Sequence, residues 1–225
     1  MKLHDGFDDV VSDLINRQGC KTILDIGAGR ESQYVPLIRD RAEKYLIGMD
    51  VDGGEISRNK ALDRAIVADA CAPFDLPPAS VDLALAKSVV EHLPDVQQFL
   101  RNVHQVLAPQ GRLVVFFPGR NAPFAIINRI LPESVKDRLL NALVPGHDGI
   151  VGFKTYYDNT VYSAFSAALQ STGFVKEDER VSYFSSSYFA FFLPVYAMSL
   201  LVDLSRSALG IKELASYYVF VARKQ

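Results

Sequence analysis

The sequence predicts an α/β fold with a mainly parallel sheet. Short apolar runs, typical of buried strands, alternate along the chain with segments whose apolar residues recur at helical spacing. Strands that alternate with helices pair in parallel, because each helix returns the chain to begin the next strand in the same direction. Three of the apolar runs end in an acidic residue, at Asp25, Asp50 and Asp69. We interpret these aspartates as carboxylates at the ends of successive strands.

The first half of the chain contains three predicted strands. A helix over residues 6–17 precedes them, because Val11, Leu14 and Ile15 lie at helical spacing. The other elements expected in this half are strands at 22–26, 45–49 and 65–68, and helical segments around 34–38 and 55–62.

The second half continues this alternation and then departs from it. The expected elements are strands at 81–86, 112–117, 174–184 and 216–222, and helices at 96–107, 122–131, 133–143, 160–171 and 188–209, with a glycine-rich loop at 145–152. Since no linker or repeat divides the chain, we expect a single domain over 1–225, with insertions at 118–159 and 185–215.

Composition, net charge and cysteine spacing limit the classes of protein that the sequence can encode. The 225 residues, about half of them apolar, suffice for a large core without a covalent staple. A formal net charge of -2 gives no basic field and argues against a nucleic acid partner. Cys20 and Cys71 have neither CxxC spacing nor metal-ligand companions, and residues 1–13 lack an apolar core of signal-peptide length. We therefore expect a cytoplasmic protein with reduced cysteines and no metal.

The first strand breaks into a Gly-x-Gly turn at Gly27 and Gly29. Glycine lets the backbone turn tightly and approach a ligand closely, so a nucleoside-like ligand is expected there. A dinucleotide fold is one interpretation, because Ser32 completes the spacing of GxGxxG and Asp50 lies at the right distance for a ribose. The third glycine of that motif is missing. Each aspartate could instead cap a helix or form a turn.

Several motifs together carry a family resemblance. They are Leu24-Asp25-Ile26-Gly27-Ala28-Gly29, Gly48-Met49-Asp50, Val67-Ala68-Asp69, Val81-Asp82-Leu83, Glu91-His92-Leu93-Pro94 and Leu107-Ala108-Pro109-Gln110-Gly111-Arg112. Over roughly residues 22–118 the chain resembles the class I methyltransferases that use S-adenosylmethionine, especially the type-11 group of quinone and small-metabolite enzymes. The resemblance implies a Rossmann-like three-layer sandwich whose seven-stranded sheet is mainly parallel, with an antiparallel last strand.

The resemblance also implies S-adenosylmethionine as the cofactor and a role for each motif. Asp50 would accept hydrogen bonds from both ribose hydroxyls, and Asp69 with the Ala70 backbone would read the adenine amino edge. Asp25 would organise the glycine turn. The residues assigned to the cofactor are Asp25, Gly27, Ala28, Gly29, Asp50, Val51, Asp69, Ala70 and Lys87. Arg30 and Glu31 are larger than the residues usual in the family, and they either face solvent or lie at the mouth of the site.

Methyl transfer requires an aligned donor and acceptor, and a hydroxyl acceptor also needs a base. His92 is the first candidate base and His147 the second, although His92 could pack locally and His147 could be a solvated loop residue. We expect O-methylation of a small-molecule, lipid-linked or glycan acceptor. The alternatives are an NAD-dependent oxidoreductase and a non-catalytic binding protein with a methyltransferase-like fold.

The two insertions are expected to serve the acceptor. Residues 118–159 leave the carboxyl edge of the sheet and are predicted to cap the acceptor site, where Tyr156, Tyr157 and Asp158 either line the pocket or pack. Residues 185–215 are strongly apolar, yet the last strand must return to the sheet, which argues against a membrane span. A helix there would pack on the domain, form a homodimer through 185–210, or make a peripheral membrane contact.

Overall fold

The computed structural model describes residues 3–17, 19–130, 154–190 and 192–225. Seven strands within these ranges form one sheet. They are β1 (Thr22–Ile26), β2 (Tyr45–Asp50), β3 (Arg64–Val67), β4 (Val81–Lys87), β5 (Leu107–Pro118), β6 (Phe174–Ser182) and β7 (Tyr217–Lys224).

The strand order is β3-β2-β1-β4-β5-β7-β6. Strands β1 to β5 are mutually parallel, and β7 is antiparallel to both of its neighbours, β5 and β6. The central strand β1 is buried from Ile23 to Ile26, since the sheet is covered on both faces. The predicted fold class, a Rossmann-like sandwich with an antiparallel last strand, is therefore confirmed.

Helices cover the two faces. They are α1 (Leu3–Ile15), α2 (Gly53–Ile56), α3 (Val96–Val106), α4 (Pro123–Ile130), α5 (Tyr162–Ser171) and α6 (Leu193–Leu209). On one face, α3 and α5 bury side chains such as Phe99 and Phe165 against the sheet. On the other, α1 buries Phe7 and Val11. Asp95 begins α3 by accepting the Gln98 amide at 2.9 Å.

The helix expected around 34–38 is absent from this described stretch, where the chain forms only a single 3-10 turn, Val35–Leu37. The Asn16 side chain explains the difference. Its Nδ2 donates to Leu37 O and its Oδ1 accepts from Arg39 N, so these groups bond across the chain instead of continuing a helix.

The helix expected over 55–62 is also shorter than predicted. Helix α2 is a single turn that Asp52 caps by accepting from Gly54 N and Glu55 N. The chain then turns Asn59 inward, where its Oδ1 accepts from Ala61 N and its Nδ2 bonds with Gly29 O. These bonds end the helix early. The helix expected at 133–143 and the loop expected at 145–152 lie outside the described residues.

The chain between β6 and β7 is helical. A short 3-10 segment, Ser186–Phe189, precedes α6, and a 3-10 turn, Lys212–Leu214, leads into β7. None of the helices in the described ranges has the length and apolar character needed to cross a membrane. The division into one domain with two insertions stays a prediction.

Candidate functional site

A cavity of about 390 Å³ opens where β1 to β4 end. This volume is within the usual range for small-molecule sites, and the carboxyl ends of parallel strands are where open α/β sheets bind ligands. The cavity is lined by seven of the residues predicted for the site: Gly27, Asp50, Val51, Asp69, Ala70, Lys87 and His92.

The glycine turn brings bare backbone to the cavity. Gly27 and Gly29 have φ values of +77° and +52°, in the region that favours glycine. Gly27 N bonds with Met49 O at 2.7 Å, which ties the turn to β2. A Cβ atom at position 27 would lie 2.4 Å from Val89 Cγ2, so this position has no room for a side chain. The space beside Gly29 is open.

Asp50 is held in place by two backbone amides. Its Oδ2 accepts from Gly29 N and its Oδ1 from Asp52 N, both at 2.9 Å. Each carboxylate oxygen has a further lone pair. A carboxylate fixed in this way at the cavity wall could accept hydrogen bonds from two adjacent hydroxyl groups.

Asp69 and Ala70 lie on the segment that follows β3. Asp69 Oδ1 accepts from Cys71 N at 2.8 Å. The buried Asn102 on α3 fixes the same segment, because its Nδ2 donates to Ala70 O at 3.1 Å and to Ala72 O at 2.6 Å. An acidic acceptor beside backbone and apolar side chains suits a heteroaromatic amine.

Asp25 does not line the cavity. It is buried below the glycine turn, and its Oδ2 accepts from Ser32 Oγ at 3.1 Å. Burial raises the pKa of this carboxyl to about 7. Arg30 also lies outside the cavity lining, in an ion pair with Glu55 at 2.7 Å. The Arg30 side chain is thus directed along the surface of the protein.

His92 lines the cavity at the end of a 3-10 turn, Val90–His92. Its Nδ1 is 3.1 Å from Lys154 O. A carbonyl oxygen can only accept, so Nδ1 is the donor, and in the neutral ring Nε2 carries the lone pair. Glu91 Oε1 lies 3.9 Å from Nε2. His147, the other candidate base, lies outside the described residues.

Burial raises the pKa of the Glu91 carboxyl to about 8. The Glu91 carbonyl accepts from Tyr156 N at 2.9 Å and Tyr157 N at 3.1 Å, which brings the end of the 118–159 insertion to the cavity. Tyr156 lines the cavity, whereas Tyr157 is buried against Ala122 and Ala125. Tyr156 therefore fits the expectation of a residue that lines the pocket, and Tyr157 fits the alternative of a residue that packs.

Lys87 combines a cavity-lining position with a side chain directed to α1. Its Nζ lies 3.4 Å from Asp8 Oδ1 and 5.3 Å from the centre of the Phe7 ring. The ammonium group is thus bound on the α1 side of the sheet.

Sequence reasoning missed the two asparagines that support the site. Asn59 holds the carbonyls of Ala28 and Gly29 at 3.4 and 3.2 Å, and Asn102 holds the segment around Ala70. Both side chains are buried polar groups. A single sequence offers no signal for them, because their partners are about thirty residues away.

Comparisons with known proteins agree with this geometry. Residues 24–115 match the family model of a methyltransferase domain. Over 119 residues the chain is 34% identical to a Mycolicibacterium smegmatis protein named a probable S-adenosylmethionine-dependent methyltransferase. That alignment covers 49% of this chain and 46% of the relative, so the chain spans about half the length of that curated relative.

Over residues 24–115 the chain is therefore similar to methyltransferase domains that use S-adenosylmethionine as the cofactor.

Solved structures share the fold of the methyltransferase domain. A Mesorhizobium loti S-adenosylmethionine-dependent methyltransferase has a TM-score of 0.59 at 17% identity, over 96% of each chain. The Streptomyces coelicolor geranyl diphosphate C-methyltransferase has a TM-score of 0.64 at 10% identity, over 100% of this chain and 80% of that one. At these identities the likeness establishes the fold alone.

Proposed function

We propose that this protein transfers the methyl group of S-adenosylmethionine to an oxygen atom of a small-molecule, lipid-linked or glycan acceptor. The observation that carries the proposal is the Asp50 carboxylate, held at the cavity wall by the amide of Gly29. A carboxylate that can accept hydrogen bonds from two hydroxyl groups lies here beside backbone that carries no side chain. This arrangement suits a ribose whose hydroxyl groups bond to the carboxylate and whose substituent crosses the turn.

Each cavity residue has a proposed task. Asp50 accepts from the ribose hydroxyls, Asp69 and the Ala70 backbone bind the adenine amino edge, and Val51 packs on the adenine ring. The Gly27–Gly29 turn and the Lys87 backbone contact the methionine portion, while Asp25 supports the turn from below through Ser32. The cofactor supplies a sulfonium methyl group, which is open to in-line displacement.

His92 is proposed as the base for the acceptor hydroxyl. Its donor bond to Lys154 O supports the tautomer in which Nε2 accepts a proton. The acceptor hydroxyl would lose its proton to Nε2 as its oxygen forms the new bond to the methyl carbon, and the bond from that carbon to the cofactor sulfur would break to leave a neutral thioether. Tyr156 and Lys154, on the same wall of the cavity, would position the acceptor.

The local backbone favours this proposal over an NAD-dependent oxidoreductase. Dinucleotide-binding domains place the pyrophosphate at the N-terminus of a helix that follows the glycine turn. In the described stretch from 30 to 44 the chain forms only two 3-10 turns, Val35–Leu37 and Arg41–Glu43. A pyrophosphate would therefore lack its usual partner.

Two solved neighbours are named for different acceptors. One is a geranyl diphosphate C-methyltransferase, and another is a phosphoethanolamine N-methyltransferase from Haemonchus contortus, with a TM-score of 0.57 at 15% identity. The fold thus accommodates acceptors with apolar and charged parts, which is compatible with a small-molecule or lipid-linked acceptor. We propose that the protein is located in the cytoplasm and that one of its faces contacts the surface of a partner.

Calorimetric titration with S-adenosylhomocysteine tests the proposal. The unmodified protein should bind it, and Asp50→Asn should weaken binding about tenfold or more, because a neutral amide replaces a charged acceptor at two hydrogen bonds. Asp40→Asn removes an exposed charge elsewhere and should leave binding unchanged. Equal binding by the Asp50 variant would remove this residue from the site, and selective binding of NAD would favour the oxidoreductase.

A further inference from the structure

Helix α6 is oriented with its polar side inward. Ser199, Asp203 and Arg206 are buried at the spacing i, i+4, i+7, which defines one face of a helix. The rest of the helix surface carries exposed apolar side chains: Met198 is 64% exposed, Leu201 65%, and Val202, Leu204 and Leu209 are also exposed. A surface helix normally has the reverse arrangement.

The inward face is held by specific hydrogen bonds. Asp203 Oδ2 accepts from the amides of Ser185 and Ser186, both at 2.7 Å. Arg206 donates to Ser216 Oγ at 3.2 Å and to Asn121 O at 2.8 Å. Since Asp203 and Arg206 have partners, the orientation of α6 is built into the fold, and rotating the helix would leave a carboxylate and a guanidinium unpaired.

The exposed apolar surface extends beyond α6. Phe184, Tyr188 and Phe192 precede the helix and are each about half exposed. Tyr188 stacks on Phe124 of α4 with ring centroids 4.5 Å apart. Helix α4 exposes further apolar side chains at Ile126, Ile127 and Ile130. Contiguous apolar surface of this kind marks an interaction site.

The exposed cations near this surface point to an anionic partner. The exposed face of α6 carries no charged side chain, because its two charged residues are those buried inward. Arg120 and Arg129 are exposed at the α4 side, and neither forms an ion pair among the described residues. Lys154 is exposed beside the cavity.

Size argues against a second copy of the chain as the occupant. Strips about 10 Å wide along the 17 residues of α6, the 8 residues of α4 and the four-residue 3-10 segment before α6 cover roughly 450 Å² together. A stable protein interface needs roughly 800 Å² from each partner. A bilayer needs no matching shape, and it accepts apolar side chains below its headgroups and cations among them.

We propose that the exposed face of α6, with the aromatic residues before it and the apolar face of α4, docks on a lipid bilayer that contains anionic headgroups. The helix lies in the interface without crossing it, and the aromatic side chains sit at headgroup level. Arg120 and Arg129 contact the lipid phosphates.

Docking has a consequence for the acceptor, and this step rests on the proposed function. Phe124 packs with the buried group around Tyr157, whose neighbour Tyr156 lines the cavity. The docking surface and the cavity wall are therefore joined through α4. Of the three proposed acceptor classes, this arrangement favours the lipid-linked one.

Vesicle co-sedimentation of the full chain tests the docking. We compare phosphatidylcholine vesicles with vesicles that also contain phosphatidylglycerol. The protein should bind the second kind, less so at high salt, and Leu201→Gln/Leu204→Gln should weaken binding at least tenfold by removing two inserted side chains. The double variant Arg120→Gln/Arg129→Gln should weaken binding to the vesicles that contain phosphatidylglycerol by about fivefold for each positive charge removed.

Tyr45→Gln is the matched control, since Tyr45 is 47% exposed at the start of β2, away from the α4 and α6 surface. It should bind vesicles like the unmodified protein. Every variant should bind S-adenosylhomocysteine without lipid as the unmodified protein does, which separates docking from the cofactor site. If the protein binds neither kind of vesicle, the proposal is overturned. It is also overturned by a dimer, seen by light scattering, that Leu201→Gln/Leu204→Gln converts to a monomer.

Discussion

Asp50 Oδ2 accepts a hydrogen bond from Gly29 N at 2.9 Å, which joins the end of β2 to the glycine turn after β1. The two motifs are 21 residues apart in the sequence, yet they form one unit at the cavity wall. A change in the turn should therefore alter the position of the carboxylate.

Gly27→Ala should destabilise the fold strongly. The substitution places a Cβ 2.4 Å from Val89 Cγ2 at a φ of +77°, so it combines overpacking with an unfavourable backbone conformation. We expect a loss of about 2–4 kcal/mol in the free energy of unfolding, measured by urea denaturation. Gly29→Ala is the matched control, because its Cβ meets open space, and it should cost only about 1–2 kcal/mol from its φ of +52°. Equal losses in the two variants would contradict this.

Asp25 should make stability fall as pH rises. Its pKa is raised from 3.8 to about 7 by burial, so between these values the folded state binds more protons than the unfolded state. The stabilising effect of the bound proton is complete below pH 3.8 and is lost as pH rises through 7. The melting temperature of the unmodified protein should therefore fall from pH 5 to pH 8.

The variant Asp25→Asn removes this titration. Its melting temperature should fall less over the same pH range, with the remaining slope due largely to Glu91, whose pKa is raised to about 8. Thermal denaturation at several pH values measures both proteins. Parallel pH profiles would show that Asp25 does not titrate in this range.

His92→Gln should reduce methyl transfer while leaving cofactor binding intact. Loss of a general base lowers the rate by about 10²–10⁴-fold, and transfer of label from S-adenosylmethionine to a hydroxyl acceptor measures it. His104→Gln is the matched control, since His104 packs against Phe174 outside the cavity lining. A normal rate in the His92 variant would exclude its role as base.

Asp203→Ala should loosen the segment before α6. It removes the acceptor of two backbone amides, at Ser185 and Ser186, and should cost about 2–3 kcal/mol. Hydrogen exchange at these amides should rise sharply. Ser205→Ala, on the exposed side of the same helix, should change stability by less than about 0.5 kcal/mol. Unchanged exchange at residues 185 and 186 would contradict the assigned role of Asp203.

Much of the fold was predictable because its determinants are local. The apolar run ending at Asp25 predicted β1 with the bounds observed, and the run ending at Met49 predicted β2 to within one residue. Hydrophobic period and glycine turns depend on neighbouring residues, which a single sequence displays in full. The seven strands followed from these signals and from the family resemblance.

The errors and omissions share a different cause. The helix expected near residue 36 does not form, because backbone groups there bond to the Asn16 side chain. The orientation of α6 depends on the backbone amides of residues 185 and 186, which donate to Asp203. At the site, Asp50 and Asp69 were predicted from strand ends, whereas Asn59 was not. Such partners are distant in sequence, so their effect appears only when the chain is folded.

The position of β7 between β5 and β6 has a consequence for synthesis on the ribosome. Residues 217–224 are translated after both neighbours, and until they emerge β5 lacks a partner along one side and β6 lacks its strand partner altogether. Unpaired strand sides attract other chains, so the nascent protein passes through a stage at which a chaperone would be most useful. Stalling translation just before residue 217 should therefore yield an aggregation-prone species, while release after residue 224 should not.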